Sequence, residues 1–268
     1  MRWRKAMVSL LAAVLAGSTV AEENPWTQAA RQMHEAAESQ RLIVVGEMHG
    51  TLEIPKVMRA LVMQAADTAP VVLALEVSRA EHAVMREYLS SDGDTASREH
   101  LLASGWWRVP ADRHDGRRTE AMLELIEAIR QLRVHGADVA LLPYDVAVPT
   151  GDSGARDRAM ADRLRSAFSA LPHGRLIVLT GNVHAMKFKP DYCPQCQTPM
   201  TAHLRDLSPY SIEISARGGA FHGCLPGGCG PVPVTPNTRQ SGAVGQNDDD
   251  PFDYRIVLPS FTPAARVR

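Results

Sequence analysis

With 268 residues and 45% apolar side chains, the chain has enough material for one large domain, and with aromatics at only 5% its core falls to Leu, Val, Ala, Ile and Met. A net charge of -1 offers no polyanion-binding surface, which excludes nucleic acid as an expected partner.

The first residues read as a secretory signal. Arg2, Arg4 and Lys5 precede a short apolar stretch, Ala6 to Ala16, and Thr19 and Ala21 suit the positions before a cleavage site. That stretch is shorter than the about 20 residues a membrane span needs, and no later stretch qualifies. Cleavage after Ala21 removes three positive charges and no acids, taking the net charge from -1 to -4. Leu15-Ala16-Gly17-Ser18 follows a lipoprotein signal except that Ser18 stands where the lipid-bearing cysteine would be. The expectation is a periplasmic or secreted protein with no stable membrane anchor, and a single domain over 22–268.

Along that domain, short β-branched runs alternate with helical patterns. Residues 41–46, 71–75, 139–144, 176–180, 211–215 and 254–258 read as strands. They are almost wholly apolar rather than alternating, which suits a parallel sheet covered on both faces. Between them, Ile54, Val57, Met58, Leu61 and Val62 fall on one helical face. So do Met122, Leu125, Ile126, Ile129 and Leu132, and then Met160, Leu164, Phe168 and Leu171. The pattern predicts an α/β fold with an open, mostly parallel sheet flanked by helices. Two segments depart from it. Residues 92–117, with Trp106, Trp107, Arg108, Arg113, His114, Asp115 and Arg117, read either as a helical cap over a site or as a solvated insertion anchored by its tryptophans. Residues 217–253, rich in Gly, Pro, Asn and Asp, read as a long irregular loop whose Asp248-Asp249-Asp250 is a solvated run.

The residues at the strand ends carry the chemistry. Glu47-Met48-His49-Gly50 follows the first run, Glu76 the second, Asp145 the third, and Gly181-Asn182-Val183-His184 the fourth. Ligands of open α/β sheets bind at that end. A carboxylate abutting an apolar strand, as Glu76 does, must be paired, hydrogen-bonded or metal-bound, because burying it alone costs several kcal/mol. Glu47, His49, Glu76 and His184 are therefore expected to form one site.

These motifs, GEMHG, LALE and GNVHA, resemble the set shared by erythromycin esterase-like proteins, the Tiki metalloproteases and the ChaN-like haem-binding proteins. Arg156-Asp157-Arg158-Ala159-Met160-Ala161 is similar to the RDxxMA helix of ChaN-like proteins, which are also closest in size. The resemblance spans about residues 41–190. It implies an α/β fold with Glu47, His49, Glu76 and His184 lining one pocket, in a group that holds esterases, metal-dependent peptidases and haem binders. The sequence departs from the ChaN-like first motif at His49-Gly50-Thr51. No motif places a haem-ligating tyrosine; Tyr144 and Tyr192 are only nearby.

Two mechanisms fit the residues. In one, His49, His184 and Glu76 hold zinc, manganese or iron, whose bound water attacks the substrate. In the other, His49 takes the proton from water while Glu47 and Glu76 hold the imidazole, and Arg117 or Arg113 stabilises the oxyanion. Asp145, Asn182 and Trp107 are candidate substrate contacts. The expected activity is hydrolysis of an ester, lactone or peptide-like bond in a small-molecule or peptide substrate. The alternative is a haem- or metal-binding protein of iron uptake. Cys193, Cys196, Cys224 and Cys229 have spacings that suit a structural zinc site or two disulfides, and an exported chain favours disulfides.

Overall fold

A computed structural model of the chain describes residues 23–147, 153–189, 191, 194, 196–245 and 249–267. The expected signal segment and Tyr192, Cys193 and Asp248 lie outside the described residues.

In chain order the elements are α1 (Pro25–Ala36), β1 (Leu42–Glu47), α2 (Glu53–Ala66), β2 (Val71–Ser78), α3 (His82–Leu89), α4 (Thr95–Leu102), α5 (Glu120–Val134), β3 (Val139–Asp145), α6 (Ser153–Ser169), β4 (Arg175–Gly181), α7 (Asn182–Ala185), β5 (Tyr210–Ala216), β6 (Ala220–Leu225), β7 (Gly228–Pro233), β8 (Gly242–Ala243) and β9 (Tyr254–Leu258). Seven strands form one sheet in the order β3-β2-β4-β1-β5-β9-β8, parallel throughout except for β8. The sheet is the expected α/β architecture, and all six predicted strands are present.

The apolar runs are explained by two cores, one on each face. Ile43 and Val45 of β1 and Ile177 and Leu179 of β4 point to the side covered by α1, α2, α3 and α5. Leu42, Val44, Leu176 and Val178 point to the other, against Met160 and Leu164 of α6 and Leu204. Each such buried aliphatic side chain contributes roughly 1.5–3 kcal/mol. Helix starts follow ordinary capping chemistry: Asn24, Asp94 and Thr119 each accept a backbone N–H of the first turn.

The segment expected to be irregular over 217–253 is partly ordered. β6 and β7 form an antiparallel hairpin in which Cys224 faces Cys229, and the two are joined by a disulfide. Cys196 is also disulfide-bonded. The disulfide reading therefore holds for Cys196, Cys224 and Cys229. Within the acidic run Asp250 is not merely solvated either, since it pairs with Arg239 and Arg255. Among the described residues no helix is long and apolar enough to cross a membrane.

Candidate functional site

Four adjacent strands, β3, β2, β4 and β1, deliver the site at their carboxyl ends. Glu47 is the last residue of β1 and lies opposite Gly181, the last of β4. Glu76 falls where the pairing of β2 with β3 shifts register between Leu75 and Ser78, an irregularity of the kind that re-aims side chains beside functional sites. Asp145 closes β3.

Glu76 is the hub. Its side chain is 5% exposed. Oε1 accepts from Arg117 Nη1 at 3.1 Å and from Arg156 Nη2 at 2.8 Å, while Oε2 accepts from Thr180 Oγ1 at 2.9 Å and the Gly181 N–H at 2.8 Å. A carboxylate offers about four lone-pair sites, and four donors occupy them. Burial alone would raise its pKa, but His49, His184 and the two guanidinium groups outweigh burial and hold the carboxyl far below the usual range. Glu76 is thus a fixed anion rather than a proton acceptor.

The two arginines are locked in turn. Arg117 Nε and Nη2 donate to Asp115, and its Nη1 also reaches Asp145 Oδ2 at 3.1 Å. Arg156 Nε donates to Asp145 Oδ1 at 2.9 Å. Desolvation opposes both charges, yet the surrounding carboxylates raise both pKa values above the ordinary arginine range. Asp115, which burial would raise, is held down to about 2 by Arg117 and Arg118.

The two histidines differ. His49 Nδ1–H donates to Glu47 Oε1 at 2.9 Å, and Nε2 stands 3.7 Å from Glu76 Oε2, beyond hydrogen-bond distance. Gly181 leaves space there: a β-carbon on it would come within 3.2 Å of His49 Nε2 and 3.7 Å of His184 Cδ2. Burial disfavours the imidazolium of His49, but Glu47 and Glu76 overcome this and raise its pKa. His184 is enclosed. Its Nδ1–H donates to Asp157 Oδ1 at 2.6 Å, and its Nε2 accepts from Arg156 Nη1 at 2.9 Å.

This arrangement does not fit the expected metal. Glu76 has no lone pair left, both nitrogens of His184 are engaged, and two guanidinium cations stand beside them. Of the three expected ligands only His49 keeps a free donor, Nε2, and one donor does not hold zinc, manganese or iron. Among the described residues no group of three or more His, Cys, Asp or Glu side chains is placed to hold a metal ion. Haem ligation by Tyr144 does not fit either: the residue is fully buried and its hydroxyl donates to the Leu179 carbonyl.

The structure brings together Glu47, His49, Glu76, Asp145, His184 and Arg117. It leaves three candidates outside. Trp107 is buried in the main core, edge-on to Trp106. Asn182 turns its Oδ1 toward Gly46, where a β-carbon would meet it at 2.6 Å. Arg113 is exposed on a 3-10 turn and makes none of the site contacts. The 92–117 segment is both things at once: its tryptophans are core, while Asp115 and Arg117 enter the site. Reasoning from sequence gave no role to Arg156, Asp157 or Thr180. The signal was the Arg156-Asp157 pair at the start of α6, two opposite charges adjacent in sequence that both reach His184.

Two glycines set the walls. Gly50 and Gly116 both have positive φ, 75° and 90°, and the His222 carbonyl oxygen occupies the space where either β-carbon would sit, at 2.2 and 2.3 Å. The loop after His49, the loop before Arg117 and the disulfide hairpin therefore meet backbone to backbone. The hairpin sulfurs rest on the same loop, Cys224 Sγ 3.3 Å from the His114 carbonyl and Cys229 Sγ 3.0 Å from that of Asp112.

The open α/β sheet is shared with solved structures of low sequence identity. A mutant erythromycin esterase, EreC, in its open conformation superposes with a TM-score of 0.66 at 12% identity, over 87% of this chain and 93% of that one. A Bacillus cereus protein matches at 0.63 and 11%, over 92% and 100%, and a succinoglycan biosynthesis protein at 0.60 and 10%, over 90% and 98%. No family description and no curated protein matches the chain by sequence. At these identities the likeness establishes the fold.

Proposed function

We propose that the chain is an exported hydrolase that cleaves an ester or lactone by metal-free general-base catalysis. The observation that carries this reading is His49: its Nδ1–H is tied to Glu47, and its Nε2 is open to the space over Gly181. Bonding of Nδ1–H to a carboxylate fixes the tautomer that leaves Nε2 free to take a proton. A water held between Nε2 and the substrate carbonyl gives its proton to Nε2 as its oxygen bonds to carbon. The π pair moves onto the carbonyl oxygen, which becomes an oxyanion. Collapse of that intermediate expels the alkoxide, which leaves with the proton from His49. Glu76, permanently ionised, keeps the arginines in place and favours the imidazolium that forms.

The test is hydrolysis of a panel of p-nitrophenyl esters and lactones by the mature protein, with His49→Ala alongside, with and without EDTA. The expected result is turnover that EDTA leaves unchanged and His49→Ala abolishes. Loss of turnover in EDTA, restored by zinc, would overturn the metal-free mechanism. Absence of turnover on every substrate, or equal turnover by His49→Ala, would overturn the hydrolase reading.

A further inference from the structure

We propose that Arg156 is the donor that meets the oxyanion, and that Asp157 is its positioning residue, acting through His184. The first half rests on the hydrolase reading; the second does not.

Hydrogen-bond supply separates the two arginines. A guanidinium carries five N–H groups in a fixed fork. Arg117 commits both Nη1 hydrogens, to Glu76 and Asp145, and Nε with one Nη2 hydrogen to Asp115, which leaves it a single N–H among the described residues. Arg156 commits one hydrogen each from Nε, Nη1 and Nη2, to Asp145, His184 and Glu76. Among the described residues this leaves one N–H on each terminal nitrogen of Arg156. Its side chain is 23% exposed, so these hydrogens belong to a group that substrate can reach.

The contact with His184 makes the position of Arg156 depend on a tautomer. Arg156 Nη1–H can bond to His184 Nε2 only if that nitrogen carries a lone pair, so the proton must be on Nδ1. Asp157 puts it there. Its carboxylate is 6% exposed on the side chain, and Oδ1 accepts both the imidazole N–H and the backbone N–H of Met200 at 2.8 Å. Asparagine in its place, with its amide nitrogen turned to the imidazole, donates to Nδ1 and gives up the acceptor of the Met200 N–H. The imidazole proton then moves to Nε2 and opposes the N–H of Arg156, donor against donor. The adjacent residues at the start of α6 thus act on the same imidazole from its two sides.

The test combines ester kinetics with 15N NMR of the His184 ring. In the wild type the ring proton is expected on Nδ1, and in Asp157→Asn on Nε2. Asp157→Asn is expected to lower kcat about 10²–10³-fold, as loss of one oxyanion donor does, with KM little changed. Arg156→Ala should fall at least as far and recover partly in free guanidinium, and Arg156→Lys should retain more activity than Arg156→Ala. A wild-type His184 protonated on Nε2, or kcat in Asp157→Asn close to wild type, would overturn the positioning role. Full activity of Arg156→Ala, with His49→Ala inactive, would overturn the oxyanion role while leaving the hydrolase intact. If wild type hydrolyses nothing, the oxyanion role falls with the hydrolase reading, and the tautomer still decides the role of Asp157. Should Asp157→Asn not fold, the Arg156→Ala rescue and the wild-type tautomer carry the decision.

Discussion

Neutralising Glu76 would leave Arg117 and Arg156 competing for Asp145 and Asp115 in a site where water is scarce. Breaking a buried pair from one side costs about 3–5 kcal/mol, and Glu76→Gln should lower unfolding free energy by that order in a denaturant titration. The same residue sets an acid dependence. Its pKa is far lower in the folded chain than in the unfolded one, so its stabilisation is present above the unfolded value of about 4.3 and is lost as pH falls toward the folded one. Wild type should therefore lose stability below about pH 4.3, and Glu76→Gln should show a shallower slope, with Asp115 and Glu127 still contributing theirs. His49 behaves oppositely. Its pKa is raised, so its contribution is complete below about 6.5 and fades as pH rises through the folded value. The free base that catalysis needs appears over that same rise. kcat/KM should rise with pH through an inflection above about 6.5, and His49→Gln should lose this activity.

At the scale of elements, the contact among Gly50, Gly116 and His222 couples three segments. Gly116→Ala would force an L residue to φ near 90° and drive its β-carbon into a carbonyl. The backbone alone costs about 1–3 kcal/mol, and the displaced loop carries Arg117. Both a lower thermal midpoint and reduced hydrolysis are expected, and an unchanged midpoint would show that the loop yields freely. The strands were legible because β1, β2, β3 and β4 are apolar on both faces, and a two-sided core demands that. The strand-end residues were legible because a polar residue directly after such a run has few bland explanations. The hairpin β6–β7 was hidden by Gly228, Gly230, Pro231 and Pro233, which read as loop and are tolerated only because these strands pair with each other outside the main sheet. Arg156 and Asp157 stood out only as part of the RDxxMA motif, and their contacts with Glu76 and His184 were hidden by a helix otherwise rich in surface charge.

Over the whole molecule, stability rests on two cores that share the central strands. Ile177 of β4 is fully buried, between β1 and β2, and Ile177→Ala should cost about 2–5 kcal/mol without moving a charged group of the site. Hydrolysis per folded molecule should stay near wild type, and a drop matching that of Glu76→Gln would show that site and core are not separable.

The strand order also governs what a growing chain can do. Among the described residues β1 pairs only with β4 and β5, and β2 only with β3 and β4. Until β4 has left the ribosome, β1 has no strand to lie against, and Glu76 lacks the Thr180 and Gly181 donors. An amino-terminal fragment ending before β4 therefore exposes the unpaired edge of β1, a template for association with other chains. β4 is the strand that joins β1 to β2 and, through Thr180 and Gly181, completes the bonds to Glu76.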